Sequence, residues 1–219
     1  MLWRWVAGLH TRGKPYPAEA VNIATFSARR FTPRPGDLAK VTQGLEATEP
    51  DGLPTVLPLR PFMPPQAGIP TALLITDEDC RIEDFGLDAF DIRTAATLTT
   101  SHLRSPLPVA NCVARFEVEA LVDAAVRAGI SPIKLRADAL DDLARWAASA
   151  GATQIATAYV TRGLLRDWLD EAAPVLAARG ISLCEWHRNW DRAIWPHATA
   201  GFFKVKQQIP QLLTQLVTV

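Results

Sequence analysis

Three stretches of this 219-residue sequence carry side chains whose types and spacing suit chemistry. The first is Thr76-Asp-Glu-Asp-Cys-Arg-Ile-Glu-Asp84. Asp77 and Asp79 form an Asp-x-Asp pair, which after a strand can hold Mg²⁺ and offer a nucleophile for phosphoryl transfer. The downstream lysine and acidic pair that such a site needs are not evident, and the plainer reading is acidic capping of a following helix. The second stretch is Glu185-Trp-His-Arg-Asn-Trp-Asp-Arg-Ala-Ile-Trp-Pro-His197, which gathers three of the seven tryptophans and two of the four histidines. Trp186 and Trp190 are candidates for stacking on a flat heterocycle such as a flavin, a folate or a nucleotide base. The same residues also suit a lid packed on a sheet edge. His187 and His197 lack the spacing of a helical metal pair, and no third ligand is evident. The third stretch is the apolar start, where Trp3, Trp5, Leu9, Tyr16, Ile23, Phe26 and Phe31 need something to bury against. Glycine-rich phosphate loops and a Gly-x-Ser-x-Gly elbow are absent, so standard nucleotide-loop or serine-hydrolase chemistry has no support.

The elements that must position these residues follow from two hydrophobic periods. Thr71-Ala-Leu-Leu-Ile-Thr76 is a continuous apolar run, as expected of a strand buried on both faces. Ala89–Leu98, Gln154–Val160 and Ile181–Trp186 read as further strands. Between them, Val118, Leu121, Val122 and Ala125 recur at helical spacing before Gly129. Leu140, Leu143, Trp146 and Ala147 do so before Gly151, and Leu165, Trp168, Leu169, Ala172 and Leu176 before Gly180. Val205, Ile209, Leu212, Leu213 and Leu216 predict a last helix, made irregular by Pro210. Strands separated by helices predict an open, mostly parallel α/β sheet of the Rossmann-like kind over residues 70–219. Ligands of such a sheet bind beyond the carboxyl ends of its strands.

Nine of the 17 prolines fall between Thr32 and Pro70. Proline fixes φ and lacks an N–H, so residues 34–69 read as a proline-rich linker. Residues 1–33 are left as a small helical stub, too short for its own core. The 23 basic and 23 acidic residues cancel, which removes bulk charge as a reason to expect nucleic-acid or membrane-surface binding by this chain. Cys80, Cys112 and Cys184 are few, odd in number and far apart, so they read as reduced thiols. With no apolar run of membrane-spanning length and no signal-peptide pattern, the expected compartment is the cytoplasm.

Trp3-Arg-Trp-Val-Ala-Gly8, followed by Gly13-Lys-Pro-Tyr16, Asn22-Ile23 and Arg30-Phe31, resembles the closing segment of the flavin-binding helical domain of photolyases and cryptochromes. Asp79-Cys-Arg81-Ile-Glu-Asp84 is similar to the motif that follows the first strand of that superfamily's antenna-type domain. Arg166-Asp-Trp-Leu, Gly180-Ile-Ser-Leu and Phe202-Phe203-Lys204 look like its closing helix, strand and exit. In this chain the α/β segment follows the flavin-domain segment, whereas most of the family places it first. The resemblance implies the C-terminal part of a longer FAD protein. Trp3 would be the flavin-proximal member of an electron-transfer chain, and Trp5 the second tryptophan near the flavin. It further implies an α/β domain that scaffolds the assembly or holds an antenna pigment, and DNA as a partner of the intact protein only. The helices that cage the flavin are missing, so the chain alone is expected to bind no cofactor, to have no catalytic residue of its own and to hold no metal. The exposed Trp3–Trp5 stub would favour association.

Overall fold

The computed structural model describes residues 18–34, 36–38, 58–198 and 202–217. The chain divides into two compact units, Met1–Leu57 and Pro58–Val219. The described part of the first holds one short helix, α1 (Ala20–Phe26). Its exit turns through the left-handed region at Ala28 (φ 50°) and Arg29 (φ 61°), and the Ser27 hydroxyl then closes on the Phe31 backbone, donating to its carbonyl (3.3 Å) and accepting from its N–H (3.2 Å). Trp3 and Trp5 lie outside the described residues.

The second unit is built on five strands: β1 (Pro70–Thr76), β2 (Asp91–Thr99), β3 (Ile133–Arg136), β4 (Gln154–Ala158) and β5 (Ser182–Trp186). All pair in parallel, in the order β3-β2-β1-β4-β5. This is the open Rossmann-like α/β sheet that the alternating periods predict. The helices are α2 (Asn111–Arg127), α3 (Leu140–Ser149), α4 (Leu164–Ala177), α5 (Asn189–Ile194) and α6 (Phe202–Val217). Glycines in the left-handed region, Gly129 (φ 66°), Gly151 (φ 67°) and Gly180 (φ 70°), follow α2, α3 and α4 as stop signals, a conformation glycine adopts at little cost.

The apolar run of β1 is explained by two cores. Ala72 and Leu74 face one core with Ala96, Leu98, Ile155 and the inner sides of α3 and α4, including Leu143, Trp146, Leu169 and Leu176. Leu73 and Ile75 face the other with Ala95, Ile82 and Leu121, Ala124 and Ala125 of α2. Both faces of β1 are therefore dry, and no polar alternation is possible.

The structure departs from the sequence reading in three places. The acidic residues after β1 cap no α-helix: the β1–β2 connection holds only two 3₁₀ turns, Ile82–Phe85 and Leu87–Ala89, separated by Gly86 in the left-handed region (φ 61°). Strand β3 was not foreseen, because four residues of Ile-Lys-Leu-Arg at a sheet edge are too few to show a period. Finally, the unit boundary falls before Pro58, so the last part of the proline-rich segment belongs to the α/β unit. It is fixed there by side-chain and backbone hydrogen bonds. Gln154 accepts from Gln66 N–H (3.0 Å) and donates to Gln66 O (2.8 Å), while the Met63 carbonyl accepts from Glu185 N–H (2.8 Å). Among the described residues no helix is long and apolar enough to cross a membrane.

Candidate functional site

The chain runs from β1 outward to β2 and β3, then returns to the other side of β1 for β4 and β5. The reversal places a topological switch point between β1 and β4, where loops diverge and leave a crevice beyond the carboxyl ends. Asp77, Glu78 and Asp79 leave β1 there, Tyr159 and Thr161 leave β4, and His187 and Arg188 leave β5.

The two aspartates straddle the end of β1. Asp77 turns toward β2, accepting from Thr100 Oγ1 (3.0 Å) and from Arg104 Nη2 (2.7 Å). Asp79 turns toward β5, pairing with Arg188 and accepting from Arg81 N–H (2.9 Å). Each is therefore engaged by a different arginine and neither faces the other across a shared ion site. Among the described residues no group of three His, Cys, Asp or Glu side chains is arranged to hold a metal. The Asp-x-Asp pair thus serves as an anchor for two loops and gains no support as a phosphotransfer centre.

Arg188 is the hub of the β5 side. Its guanidinium also donates to the Arg81 carbonyl and lies 4.5 Å from the centroid of the Phe85 ring. Arg81 in turn donates to Asp84 (3.0 Å). The 79–84 motif singled out in the sequence is thereby wrapped around one arginine from a distant strand. Trp186 stacks on Phe85 with ring centroids 5.3 Å apart and planes 13° apart, and meets Phe90 edge-on at 5.2 Å. Such stacked and edge contacts add to the burial energy of the rings.

His187 sits in an aromatic nest, with ring centroids 4.7 Å from Tyr159, 4.9 Å from Trp195 and 5.4 Å from Phe62. Its Nε2 is buried and has no hydrogen-bond partner among the described residues. Burial pushes its pKa below the ordinary histidine value; Arg192 adds to this, while Asp191 and Glu185 oppose it. The ring is neutral at pH 7 as a result.

These side chains enclose a cavity of about 80 Å³ lined by Glu78, Asp79, Tyr159, Thr161, Trp186, His187, Arg188, Asp191 and Trp195. Beside it, a more open depression of about 510 Å³ is lined by Asp84, Phe85, Gly86, His187, Arg188 and Asn189. The inner cavity falls well short of the roughly 300 Å³ at which pockets for drug-sized ligands begin. Only the outer depression has room for a fused ring.

Of the tryptophans picked from the sequence, Trp186 lines the cavity, whereas Trp190 is 48% exposed on α5 and lines neither space. His197 ends the 3₁₀ turn Trp195–His197 and lines neither, so the two histidines do not converge. Trp195, Tyr159 and Asp191 were missed as site residues. Trp195 stood in the tryptophan-rich stretch, and Tyr159 is signalled by its place at the end of a buried strand. The three cysteines are free thiols; Cys184 is buried, and burial together with Glu185 pushes its pKa up to about 11.

Fold and site together define a Rossmann-like α/β unit with a small, mixed aromatic and acidic crevice at its switch point. No family model matches the sequence. A search of curated proteins likewise finds no match.

Proposed function

We propose that this chain is the C-terminal portion of a photolyase- or cryptochrome-like flavoprotein. The observation that carries the reading is the parallel sheet in the order β3-β2-β1-β4-β5, with Asp79, Arg81 and Asp84 wrapped at the end of β1. An open, mostly parallel sheet with this motif after its first strand is what the sequence resemblance to an antenna-type domain implies. In the intact protein, FAD is held by helices outside this chain, and Trp3 and Trp5 neighbour the flavin and relay electrons to it. The intact protein acts in DNA photoproduct repair or blue-light sensing, and it alone meets DNA. The α/β unit scaffolds that assembly or holds an antenna pigment, the stub around Trp3 and Trp5 is a surface for association, and the protein resides in the cytoplasm.

The test is to isolate the native polypeptide bearing this sequence from its cells and record its absorption before and during blue illumination. The expected result is the yellow band of oxidised flavin, bleached by light in the presence of an electron donor and bleached more slowly after Trp3→Phe. A colourless, flavin-free native protein would overturn the reading. The recombinant 219-residue chain should purify without flavin, and stoichiometric flavin in it would refute the missing-cage argument.

The outer depression favours a second reading, an autonomous module that stacks a flavin, folate or nucleotide over Phe85 and Arg188. Tryptophan quenching by one of these ligands, lost in Arg188→Gln and retained in Trp190→Ala, supports it. Absence of quenching by all three removes it.

A further inference from the structure

The inner cavity has a composition that neither reading uses. Its walls are the rings of Tyr159, Trp186 and Trp195, and it is faced by the carboxylates of Glu78, Asp79 and Asp191. The one guanidinium in the lining, Arg188, is already paired with Asp79 and the Arg81 carbonyl. Glu78 accepts from Thr161 Oγ1 (3.3 Å) and lies 3.5 Å from Arg104. Asp191 is half-buried, acts electrostatically on the neighbouring His187 ring, and has no ion-pair or hydrogen-bond partner for its side chain among the described residues. Of the three carboxylates, Asp79 is paired with Arg188 and Glu78 lies beside Arg104, which leaves Asp191 facing a space lined by aromatic rings.

Aromatic faces attract cations through the ring quadrupole, and the attraction strengthens when water is excluded. A carboxylate beside them supplies the counter-charge. A small volume disfavours a fused-ring heterocycle such as a flavin or folate, and the absence of a free cation in the lining disfavours an anion. A compact methylated ammonium satisfies all three conditions: it is positively charged, its methyl groups suit aromatic walls, and it needs no hydrogen-bond acceptor aligned with each proton. From the size, the ring walls and the unpaired Asp191, we propose that the switch-point cavity binds a small free methylated ammonium compound. This is independent of the flavoprotein reading, since it concerns this chain alone and requires no flavin.

The experiment uses the full 219-residue chain and its intrinsic tryptophan fluorescence, since Trp186 and Trp195 line the cavity. Choline chloride is titrated against 3,3-dimethylbutanol, its neutral isostere, with sodium chloride at equal concentration as the ionic control. A saturable change with choline, about tenfold weaker with the isostere, is expected, a ratio that corresponds to about 1.4 kcal/mol. Asp191→Asn keeps the shape and removes the charge, and should weaken choline about tenfold while leaving the isostere unchanged. Circular dichroism confirms that this variant folds. Trp190→Ala, away from the cavity, should leave choline binding intact. Equal response to choline and the isostere, an unchanged affinity in Asp191→Asn, or no saturable response at all each overturns the proposal. Vesicles of phosphatidylcholine should leave the fluorescence unaltered; a shift with vesicles and none with choline would assign the surface to lipid headgroups and also overturn it.

Discussion

Glu185 and His187 stand two residues apart at the end of β5, and their surroundings differ in the way that separates a structural polar group from an available one. Glu185 is almost wholly buried and fully engaged. It accepts from Val160 N–H (2.9 Å), from Arg60 Nη2 (2.6 Å to Oε2 and 2.7 Å to Oε1) and from Arg166 Nη1 at 3.4 Å. Arg166, itself buried, reaches on to Asp170 (2.8 Å). His187 is enclosed as well, but by rings, and its buried nitrogen bonds to nothing among the described residues. A buried charge with every partner in place holds elements together; a buried nitrogen without one keeps capacity for a ligand or water. Glu185 ties the proline-rich segment, through Arg60, and α4, through Arg166, to one strand. His187 meets its neighbours through ring contacts alone.

The largest expected effect lies on the engaged side. Glu185→Ala leaves Arg60 without its carboxylate and the buried Arg166 with only the exposed Asp170, and should cost about 3–5 kcal/mol, the range for removing one partner of a buried ion pair. Urea unfolding at pH 7 reads it from the shift in midpoint at unchanged slope. A loss under about 1 kcal/mol would mean that the buried arginine finds water, and the contrast with His187 would lose its meaning. Arg60→Met tests the same network from its outer end. Arg60 is partly exposed and also lies 4.7 Å from the Tyr159 ring centroid, so its loss removes a charged hydrogen bond and a ring contact while Arg166 still compensates Glu185. About 1–3 kcal/mol is expected, together with faster proteolysis near Pro58–Pro65. Unaltered proteolysis would show that the Gln154–Gln66 and Glu185–Met63 hydrogen bonds suffice to fix the segment.

The same contrast decides what the sequence could reveal. The sheet was legible because β1 is dry on both faces and because glycines mark the ends of α2, α3 and α4. β3 was not, since Ile133–Arg136 is mostly exposed and too short to show a period. Glu185 inside a buried apolar strand was a signal in its own right: a charge there demands a buried cation. Which cation is a question of tertiary contact, and Arg60 lies 125 positions away in a segment whose prolines read only as linker. The cavity was half visible. Trp186 and His187 were picked out by clustering, but Trp190 shares that clustering and faces solvent, because neighbouring positions on α5 point about 100° apart and it is Asp191 that turns to the cavity. Asp191, next in the chain to Trp190, carried no motif and gains its meaning only from the rings around it.

The smallest effect, and the one that sharpens the comparison most, concerns pH on the His187 side. Burial holds the folded pKa of His187 below its unfolded value near 6.5. The unfolded chain therefore binds this proton more readily than the folded one. The stability linked to it is present above pH 6.5 and is lost as pH falls below 6.5 toward the folded pKa. His187→Phe keeps a ring in the nest and removes the titration. Urea midpoints measured from pH 7.5 to 5.5 should fall more steeply in the wild-type chain than in His187→Phe. Parallel slopes would show that the ring protonates as freely folded as unfolded, and that its nest is wet. Asp191→Asn carries the argument one step further. Asp191 is the strongest of the influences that favour the charged ring, so neutralising it should depress the folded pKa further and extend the loss of stability to lower pH. Glu185 stays in place in that variant, so a shift seen there belongs to the cavity and not to the ion network two residues away.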